Sequence, residues 1–418
     1  MTTALNESPW VDRDALRITG IRAIVTAPEG IPLVVVKVET SDDGLYGLGC
    51  ATFTQRWQAV VAAVNQGVAP MAVGRHPADI EDLTRAMYYS SYWRNGPVLN
   101  NALSGLDMAL WDIAGKRHGV PVYELLGGRV RAAALTYLHA AGATVHDTIE
   151  HAAAIVALGW THVRLQTGQP GLGTYGAPGS RDAYPNAPYP DGWNVEHYLR
   201  TTPELFAHAR RELGAEVELL HDVHSRLTPT QAVLLARRLE EHRLFFLEDV
   251  VAPEHYDRLT EVRAASPVPI AVGELLSSVG EAAALVREHA VDYLRVHVSA
   301  VGGLTPARKL AAMCELVGVQ TAWHAPGDVS PIGAAANVAL DVTSYAFGIQ
   351  EAHNFSDAAL EVFPGTLTAV AGYLTPSPAP GWGVDLDEAA AGRFQPGAPA
   401  YGASAFVVRA PDGSLRAP

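Results

Sequence analysis

The sequence predicts an α/β barrel preceded by a smaller α+β domain, and three observations support this fold class. From about residue 133, strand-like and helix-like segments alternate, with eight strands and seven helices between them. Before that point strands come first and helices follow, as in α+β domains. Three acidic residues also stand 26 positions apart, each at the end of a short apolar run. Eight strands alternating with helices are typical of a closed barrel, whose active site lies at the carboxyl ends of the strands.

The amino-terminal part, residues 1–132, is predicted to form the α+β domain. Leu33–Thr40 is rich in valine and is predicted to be a strand. A turn follows at Ser41–Gly44, and a second strand from Leu45 completes a hairpin. Helical periodicity then covers three segments, at 55–70, 78–88 and 98–117.

Residues 133–352 are predicted to form the barrel. Its strands are expected to begin near Ala134, Thr161, Val217, Leu244, Pro269, Tyr293, Val319 and Tyr345. The helices between them are expected at 146–158, 196–213, 229–242, 254–266, 279–290, 304–317 and 331–342. A doubly wound open sheet is the alternative, but the glycine pattern of a phosphate loop is missing after the first strand. Residues 353–418, rich in proline, glycine and alanine, are expected to fold back over the first domain.

The composition limits the class and the partners of the chain. Its 418 residues are 48% hydrophobic and 18% charged, which is typical of a globular protein. A formal net charge of −14 and a pI near 5.5 argue against nucleic acid or an anionic membrane as the main partner. With two cysteines, no disulfide framework is expected, and a reducing cytoplasm is the predicted compartment. Neither a signal-peptide pattern nor an apolar stretch of membrane-spanning length occurs, so no membrane span is expected.

The three equally spaced acids are Asp222, Glu248 and Glu274. A strand, a loop, a helix and a second loop together fill about that spacing, so the acids are expected on neighbouring parallel strands whose ends share one face. Carboxylates brought together repel one another and raise one another's pKa. A hard divalent cation removes that conflict, and carboxylate oxygens suit Mg²⁺. The spacing therefore predicts a magnesium site, and with it an enzyme.

Candidates for proton transfer lie at other predicted strand ends. His224 follows Asp222 by two residues, and His324 and Glu351 end the seventh and eighth barrel strands. Because histidine titrates near neutral pH, His224 and His324 are the better candidates for moving a proton.

Two arginines and a tyrosine complete the candidate set. Arg164 ends the second barrel strand, and Tyr175 lies in the long glycine-rich connection 167–194 that follows. Long connections after barrel strands are usually functional. A guanidinium beside a tyrosine favours the phenolate, so Arg164 would lower the pKa of Tyr175. Arg295 is a candidate for binding a carboxylate.

At these residues the chain resembles the enolase superfamily of mandelate racemase and muconate lactonizing enzyme-like proteins, and within it the D-mannonate dehydratase group. The resemblance extends over nearly the whole chain. Its most specific segment is His221–Pro229. The other segments that carry it are Ser91–Arg94, Asp107–Asp112, Arg164–Gly168, Pro170–Leu172, Leu247–Asp249, Ala271–Glu274 and Gly348–Glu351. The resemblance implies a modified (β/α)₇β barrel of the TIM type with an α+β capping domain.

The resemblance also implies roles for the site residues. Mg²⁺ would be held by Asp222, Glu248 and Glu274. Tyr175, tuned by Arg164, would be the base that removes the C2 proton of a sugar acid, and His224 the acid that helps the 3-hydroxyl depart. The side chains implied to contact the substrate or assist proton transfer are His324, Glu351, Arg295 and His139. A 2-keto-3-deoxy sugar acid would be the product, and a homo-oligomer, a tetramer or octamer, is implied.

The sequence departs from the group's pattern at several positions. These departures lie in the capping loops and termini that are expected to close over the distal end of the substrate. They are Pro32, Cys50, Thr54, Ala141, Ala300 and Arg416. Lost polar partners for substrate hydroxyls weaken binding, because a hydrogen bond to a charged group contributes about 1.5–3 kcal/mol.

The leading hypothesis is a Mg²⁺-dependent dehydratase of a small anionic sugar acid, with D-mannonate first and D-gluconate next. A second hypothesis is racemisation or epimerisation of another acid, with His324 and the Arg164–Tyr175 pair acting from opposite faces. A third is a non-catalytic sensor on the same scaffold. Retention of all three predicted metal ligands argues against the third.

Overall fold

The computed structural model describes residues 15–170, 192–397 and 408–416. Within these ranges, no helix is both long and apolar enough to cross a membrane.

A three-stranded antiparallel sheet begins the described chain. Its strands are β1 (Ile18–Thr26), β2 (Leu33–Thr40) and β3 (Tyr46–Cys50), in spatial order β1-β2-β3. Valines dominate β2, and Leu33–Val36 are all buried because both faces of this strand are covered. The predicted hairpin is confirmed, but β1 was missed. Its sequence, ITGIRAIVT, contains three isoleucines, a valine and two threonines, so the β-branched composition typical of strands could have predicted it.

Helices then cover the sheet. They are α1 (Trp57–Ala62), α2 (Ala69–Ala72), α3 (Ile80–Tyr89), α4 (Pro97–His118) and α5 (Val122–Leu125), with a π-helical segment at Ala63–Val68. The long helix α4 packs directly on β3. A Cβ atom at Gly49 would lie 2.1 Å from the carbonyl oxygen of Gly105, so glycine is required for this approach. The predicted order of hairpin and then helices is confirmed.

Strands and helices then alternate as predicted. They are β4 (Ala134–Gly142), α6 (Val145–Ala157), β5 (His162–Thr167), α7 (Val195–Leu213), β6 (Glu218–Asp222), α8 (Pro229–Leu239), β7 (Phe246–Glu248), α9 (Leu259–Ala265), β8 (Ile270–Val272), α10 (Val279–Arg287), β9 (Tyr293–Leu294), α11 (Leu304–Val317), β10 (Gln320–Thr321), α12 (Pro331–Thr343) and β11 (Gln350–Glu351). Short 3₁₀ segments at Glu240–His242 and Pro253–Arg258 adjoin α8 and α9. The last strand begins at Gln350, later than the predicted Tyr345, because Ser344–Ile349 form a turn and an irregular approach.

The eight strands β4 to β11 close into a barrel. Neighbours from β4 to β10 pair in parallel, and β11 pairs in parallel with β4. The remaining gap is closed at Thr321, whose N–H donates to Ala346 and whose carbonyl accepts from Gly348, at 2.7 and 2.9 Å. The doubly wound open sheet, the alternative from the sequence, is therefore wrong, and the capped barrel is confirmed.

The inside of the barrel is filled by an apolar layer that we call the barrel floor. Its residues are Tyr137, Leu220, Phe246, Ala271, Tyr293, Ala322 and Ile349. Side chains two residues apart on a strand point to the same side. The second residue after each floor residue therefore also faces the barrel interior, and it lies nearer the carboxyl end of its strand. His139, Asp222, Glu248, Arg295, His324 and Glu351 occupy those positions.

The carboxyl-terminal part contacts both the barrel and the first sheet. Its elements are α13 (Asp357–Val362), β12 (Tyr373–Leu374), α14 (Glu388–Arg393), β13 (Val408–Arg409) and β14 (Leu415–Arg416). Strand β12 pairs with the start of β4. The indole N–H of Trp382 donates to the carbonyl of Leu48 at 3.0 Å, and Glu388 accepts from Arg22 and Lys37. The domain boundaries at 132/133 and 352/353 stay a prediction.

Asp112 of α4 joins three parts of the chain, so its loss should destabilise the protein. The fully buried carboxylate accepts from the backbone N–H groups of Leu48 and Trp382 at 3.0 and 2.9 Å and from Lys116 Nζ at 2.7 Å. We expect Asp112→Ala to lower the free energy of unfolding by about 3–5 kcal/mol, because the buried partners lose their acceptor. Urea unfolding followed by circular dichroism measures this.

The matched control is Asp82→Ala, which removes an exposed pair with Arg75 and should cost at most about 1 kcal/mol. Equal stability of the two variants would contradict the role of Asp112.

Candidate active site

The three predicted metal ligands lie at the carboxyl ends of adjacent strands. Asp222 ends β6 and is directly opposite Glu248, which ends β7, while Glu274 follows β8 by two residues. Glu248, Glu274 and His324 each offer a ligand atom within 4.8 Å of the others. Asp222 lies outside that group but shares Arg164 with Glu248, because Arg164 Nη1 is 3.5 Å from Asp222 Oδ2 and 2.6 Å from Glu248 Oε2.

Two buried arginines hold the carboxylates in place. Arg164 and Arg295 bracket Glu248, and the distance from Arg295 Nε to Glu248 Oε1 is 2.8 Å. Glu351 accepts from Arg295 Nη2 at 2.5 Å, from the N–H of Ala325 at 2.7 Å and from His139 Nε2 at 2.5 Å. Glu248 and Glu351 are therefore fixed in buried ion pairs, so that neither can rotate without leaving a charge unpaired.

The charges of this cluster do not balance. Asp222, Glu248, Glu274 and Glu351 are four carboxylates, whereas the arginines among them are two, Arg164 and Arg295. Burial is the largest cause that raises the pKa of Glu248, to about 8, against the attraction of both arginines. The two arginines therefore do not by themselves offset the burial of this carboxylate, which indicates that the cluster lacks positive charge. Burial is also the largest cause that raises the pKa of the neighbouring, fully buried Asp249 well above its ordinary value.

The histidines of the site differ in their charge. Burial and then Arg164 lower the pKa of His139 to about 4, so its ring is neutral, with Nδ1 accepting from Arg164 at 3.1 Å. Burial alone would lower the pKa of His324 too, but Glu274 and Glu351 outweigh it and raise that pKa. His324 Nδ1 lies 3.1 Å from Glu274 Oε2 and 3.4 Å from Glu351 Oε2. His139 is therefore suited to hold a fixed hydrogen bond, whereas His324 Nδ1 lies among Glu274, Glu351 and the guanidinium of Arg295, whose Nη1 is 2.8 Å away.

His224 is presented by an unusual turn after β6. Both His224 and Ser225 have left-handed backbone, with φ of 56° and 62°. The turn is held because Asp222 Oδ1 accepts the N–H of His224 and the carbonyl of Asp249 accepts the N–H of Ser225, both at 2.6 Å. Non-glycine residues in this conformation cost about 1–3 kcal/mol each and cluster at functional sites. The turn brings His224 Nε2 to 3.7 Å from Glu274 Oε1.

Tyr175, the predicted base, lies outside the described residues. All the other predicted site residues come together at this end of the barrel. The sequence analysis missed His297, whose ring centroid is 5.3 Å from that of His324 and whose pKa burial lowers to about 3. His297 follows Arg295 by two residues. The two-residue alternation of side chains along an extended chain could therefore have predicted that it faces the site.

Two of the departures from the group pattern lie where the capping domain meets the barrel. Cys50 is fully buried, and its carbonyl accepts from Ser299 Oγ at 3.4 Å. The carbonyl of Ala300 accepts from Asn100 Nδ2 at 2.9 Å. Thr54 is also buried. Arg416 ends the described chain, and its side chain lies outside the described part.

Comparison with known proteins agrees with this architecture. A family profile described as mandelate racemase/muconate lactonizing enzyme, N-terminal domain, matches residues 12–127, and one described as enolase C-terminal domain-like matches residues 147–390. The chain is 65% identical over 410 residues to a D-galactonate dehydratase family member of Catenulispora acidiphila, covering 98% of this chain and 96% of the relative. It is 46% identical over 423 residues to the D-galactonate dehydratase family member RspA of Pantoea ananatis, covering 96% and 99%.

A solved structure of an enolase from Pantoea ananatis, with bound D-gluconate and Mg, superposes with a TM-score of 0.90 at 45% identity, covering 96% of this chain and 100% of that chain. The fold and the site thus define a capped-barrel enzyme. The chain belongs to the enolase superfamily. The narrower D-mannonate dehydratase resemblance is not confirmed, since these relatives are named for D-galactonate dehydratase.

Arg295 should contribute strongly to the stability of the metal-free protein. Its guanidinium is fully buried and pairs with Glu248 and Glu351. We expect Arg295→Met to lower the free energy of unfolding by about 3–5 kcal/mol, because two buried carboxylates lose a partner. The measurement is urea unfolding in buffer containing a chelator.

Arg258→Met is the control, because Arg258 pairs with Glu261 at the surface, and its unfolding midpoint should match that of the parent. The account of the cluster would be wrong if Arg295→Met also matched the parent.

Proposed function

We propose that this chain is a Mg²⁺-dependent sugar-acid dehydratase that converts an aldonic acid into a 2-keto-3-deoxy sugar acid. The observation that carries the proposal is the buried cluster of four carboxylates and two arginines, which is short of two positive charges and faces histidines at the barrel mouth. The relatives named as D-galactonate dehydratase family members support the reaction class.

The donor set fits a magnesium ion. Hard oxygen ligands are what Mg²⁺ takes, and a divalent charge matches the deficit of the cluster. Asp222, Glu248 and Glu274 would hold the ion. When bound, the ion supplies a Lewis acid that binds the substrate carboxylate and stabilises the negative charge developed when the neighbouring C–H bond is broken. A neighbour of 45% identity was crystallised with Mg and D-gluconate, which supports this choice of metal.

The remaining residues have separate proposed roles. Tyr175 would take the C2 proton as a phenolate stabilised by Arg164, and His224 would assist departure of the 3-hydroxyl. His139, Arg295, His324 and Glu351 would hold the substrate or assist proton transfer. Glu351 already fixes His139 and Arg295 through hydrogen bonds. These hydrogen-bond donors would therefore be in place before the substrate binds.

D-Gluconate is the substrate we place first, because it is the acid bound by the structural neighbour. D-Galactonate is next because of the names of the relatives, and D-mannonate, first from the sequence alone, moves to third. A homo-oligomer, a tetramer or octamer, stays a prediction from the family resemblance.

The reaction can be tested with a panel of aldonic acids. We expect the protein with Mg²⁺ to release 2-keto-3-deoxy acid from at least one of D-gluconate, D-galactonate and D-mannonate, scored by a colour reaction for the product. Glu274→Gln should lower the rate at least about 10²-fold, since it removes one carboxylate from the proposed metal set.

The matched control is Glu281→Gln, which changes an exposed glutamate on α10 and should leave the rate unchanged. Exchange of the C2 hydrogen with solvent deuterium, without dehydration, would instead favour racemisation or epimerisation. An inert panel in the presence of bound Mg²⁺ would contradict the dehydratase proposal.

A further inference from the structure

We propose that Arg226 is a positioning residue that sets the ring orientation and the tautomer of His224, so that His224 presents Nε2–H to the site. The consequence for catalysis rests on the proposed function, but the positioning itself does not. Arg226 was not among the residues singled out from the sequence.

The contact between the two side chains carries the inference. Arg226 Nη2 lies 3.1 Å from His224 Nδ1. A guanidinium has only donors, so Nδ1 must accept and cannot carry a hydrogen in this contact. A ring with one hydrogen then carries it on Nε2, the atom that faces Glu274 Oε1 at 3.7 Å. Rotating the ring by half a turn would place a C–H group against the guanidinium, so the contact also fixes the orientation of the ring.

The backbone explains how Arg226 reaches the ring. The left-handed pair His224 and Ser225 reverses the chain, so that a residue two positions further on returns to the same imidazole. The parallel bridge between Leu227 and Val251 then fixes the chain directly after Arg226. The conformational cost of the turn is met by the two short hydrogen bonds to Asp222 and Asp249, which hold it in one geometry.

Arg226 is itself held from the other side. The carbon of its guanidinium is 6.0 Å from the ring centroid of Trp193, which is buried and packs on Tyr198 at 5.0 Å. The backbone N–H of Trp193 donates to the carbonyl of Arg409 in β13 at 2.8 Å. A chain of contacts therefore runs from the carboxyl-terminal hairpin through Trp193 and Arg226 to His224.

Besides the contact of Arg295 Nη1 with His324 Nδ1, at 2.8 Å, the same arrangement occurs at His139. Arg164 donates to Nδ1 of His139 at 3.1 Å, and Nε2 of His139 donates to Glu351 at 2.5 Å. In both pairs a guanidinium occupies Nδ1 and a carboxylate faces Nε2. A neutral imidazole held in this way can serve as a hydrogen-bond donor to a reacting oxygen. For His224, that oxygen would be the leaving 3-hydroxyl.

The first test reads the tautomer directly and needs no substrate. Protein labelled with ¹⁵N-histidine is studied by NMR, and the His224 signals are assigned by their loss in His224→Asn. We expect the parent to show hydrogen on Nε2 and bare Nδ1, and Arg226→Ala to show a mixture of tautomers. A parent ring with hydrogen on Nδ1 would overturn the inference, whatever reaction the enzyme performs.

The second test separates positioning from general damage to the structure. We expect Arg226→Ala to lower kcat about 10²-fold with KM changed less than about threefold, while exchange of the C2 hydrogen with deuterium continues. Arg226→Lys should retain part of kcat. Arg237→Ala, which removes an exposed arginine of the next helix, α8, is the control and should match the parent.

Chemical rescue completes the second test. A cavity of about 620 Å³, lined by Trp193, Asn194, Gln231, His255 and Leu415, borders Arg226 and offers a path to its position. Guanidinium ion added to Arg226→Ala should therefore restore kcat, and added ammonium should restore less. A parallel fall of C2 exchange and dehydration, without rescue, would overturn the catalytic part of the proposal. If the parent dehydrates no acid, the proposed function fails and the NMR result alone decides the positioning.

Discussion

The bracketing of Glu248 by two buried arginines is the constraint on which the rest of the site depends. Arg164 and Arg295 approach its two oxygens at 2.6 and 2.8 Å, from strands on either side of β7. Burying charges is costly unless they are paired, so these three side chains must keep their positions together. Through them the ends of β5, β7 and β9 are fixed relative to one another, and Glu351 extends the network to β11.

This network leaves a charge deficit that a divalent cation can fill. The pKa of Glu248 is raised to about 8 by burial even with an arginine on each side, and Glu274 and Glu351 raise the pKa of His324. Protons can therefore enter the cluster where a metal ion would otherwise supply the charge. His324, whose pKa these carboxylates raise, lies 3.1 Å from the proposed ligand Glu274, so metal binding and protonation of His324 should compete.

The sequence predicts the scaffold of this site well and its contacts less well. Strand ends follow from the period of two, and the barrel floor shows why, since His139, Asp222, Glu248, Arg295, His324 and Glu351 each follow a floor residue by two positions. His297 follows Arg295, rather than a floor residue, by two positions, and the same period of two could have found it. Strand β1 could also have been found, because Ile18–Thr26 is rich in β-branched residues. Arg226 could not be assigned a role, because its contact with His224 depends on a left-handed turn that no residue type in His224–Arg226 requires.

The central claim is that the charge deficit among Asp222, Glu248, Glu274 and Glu351 is filled by one divalent cation. A crystal structure of the protein grown with Mn²⁺ in place of Mg²⁺, with diffraction collected at the manganese absorption edge, tests this directly. The account predicts a single strong anomalous peak within coordination distance of Asp222, Glu248 and Glu274, at about 2.0–2.2 Å from carboxylate oxygens. A fully occupied peak elsewhere, or no peak at saturating Mn²⁺ with the three carboxylates in place, would contradict it.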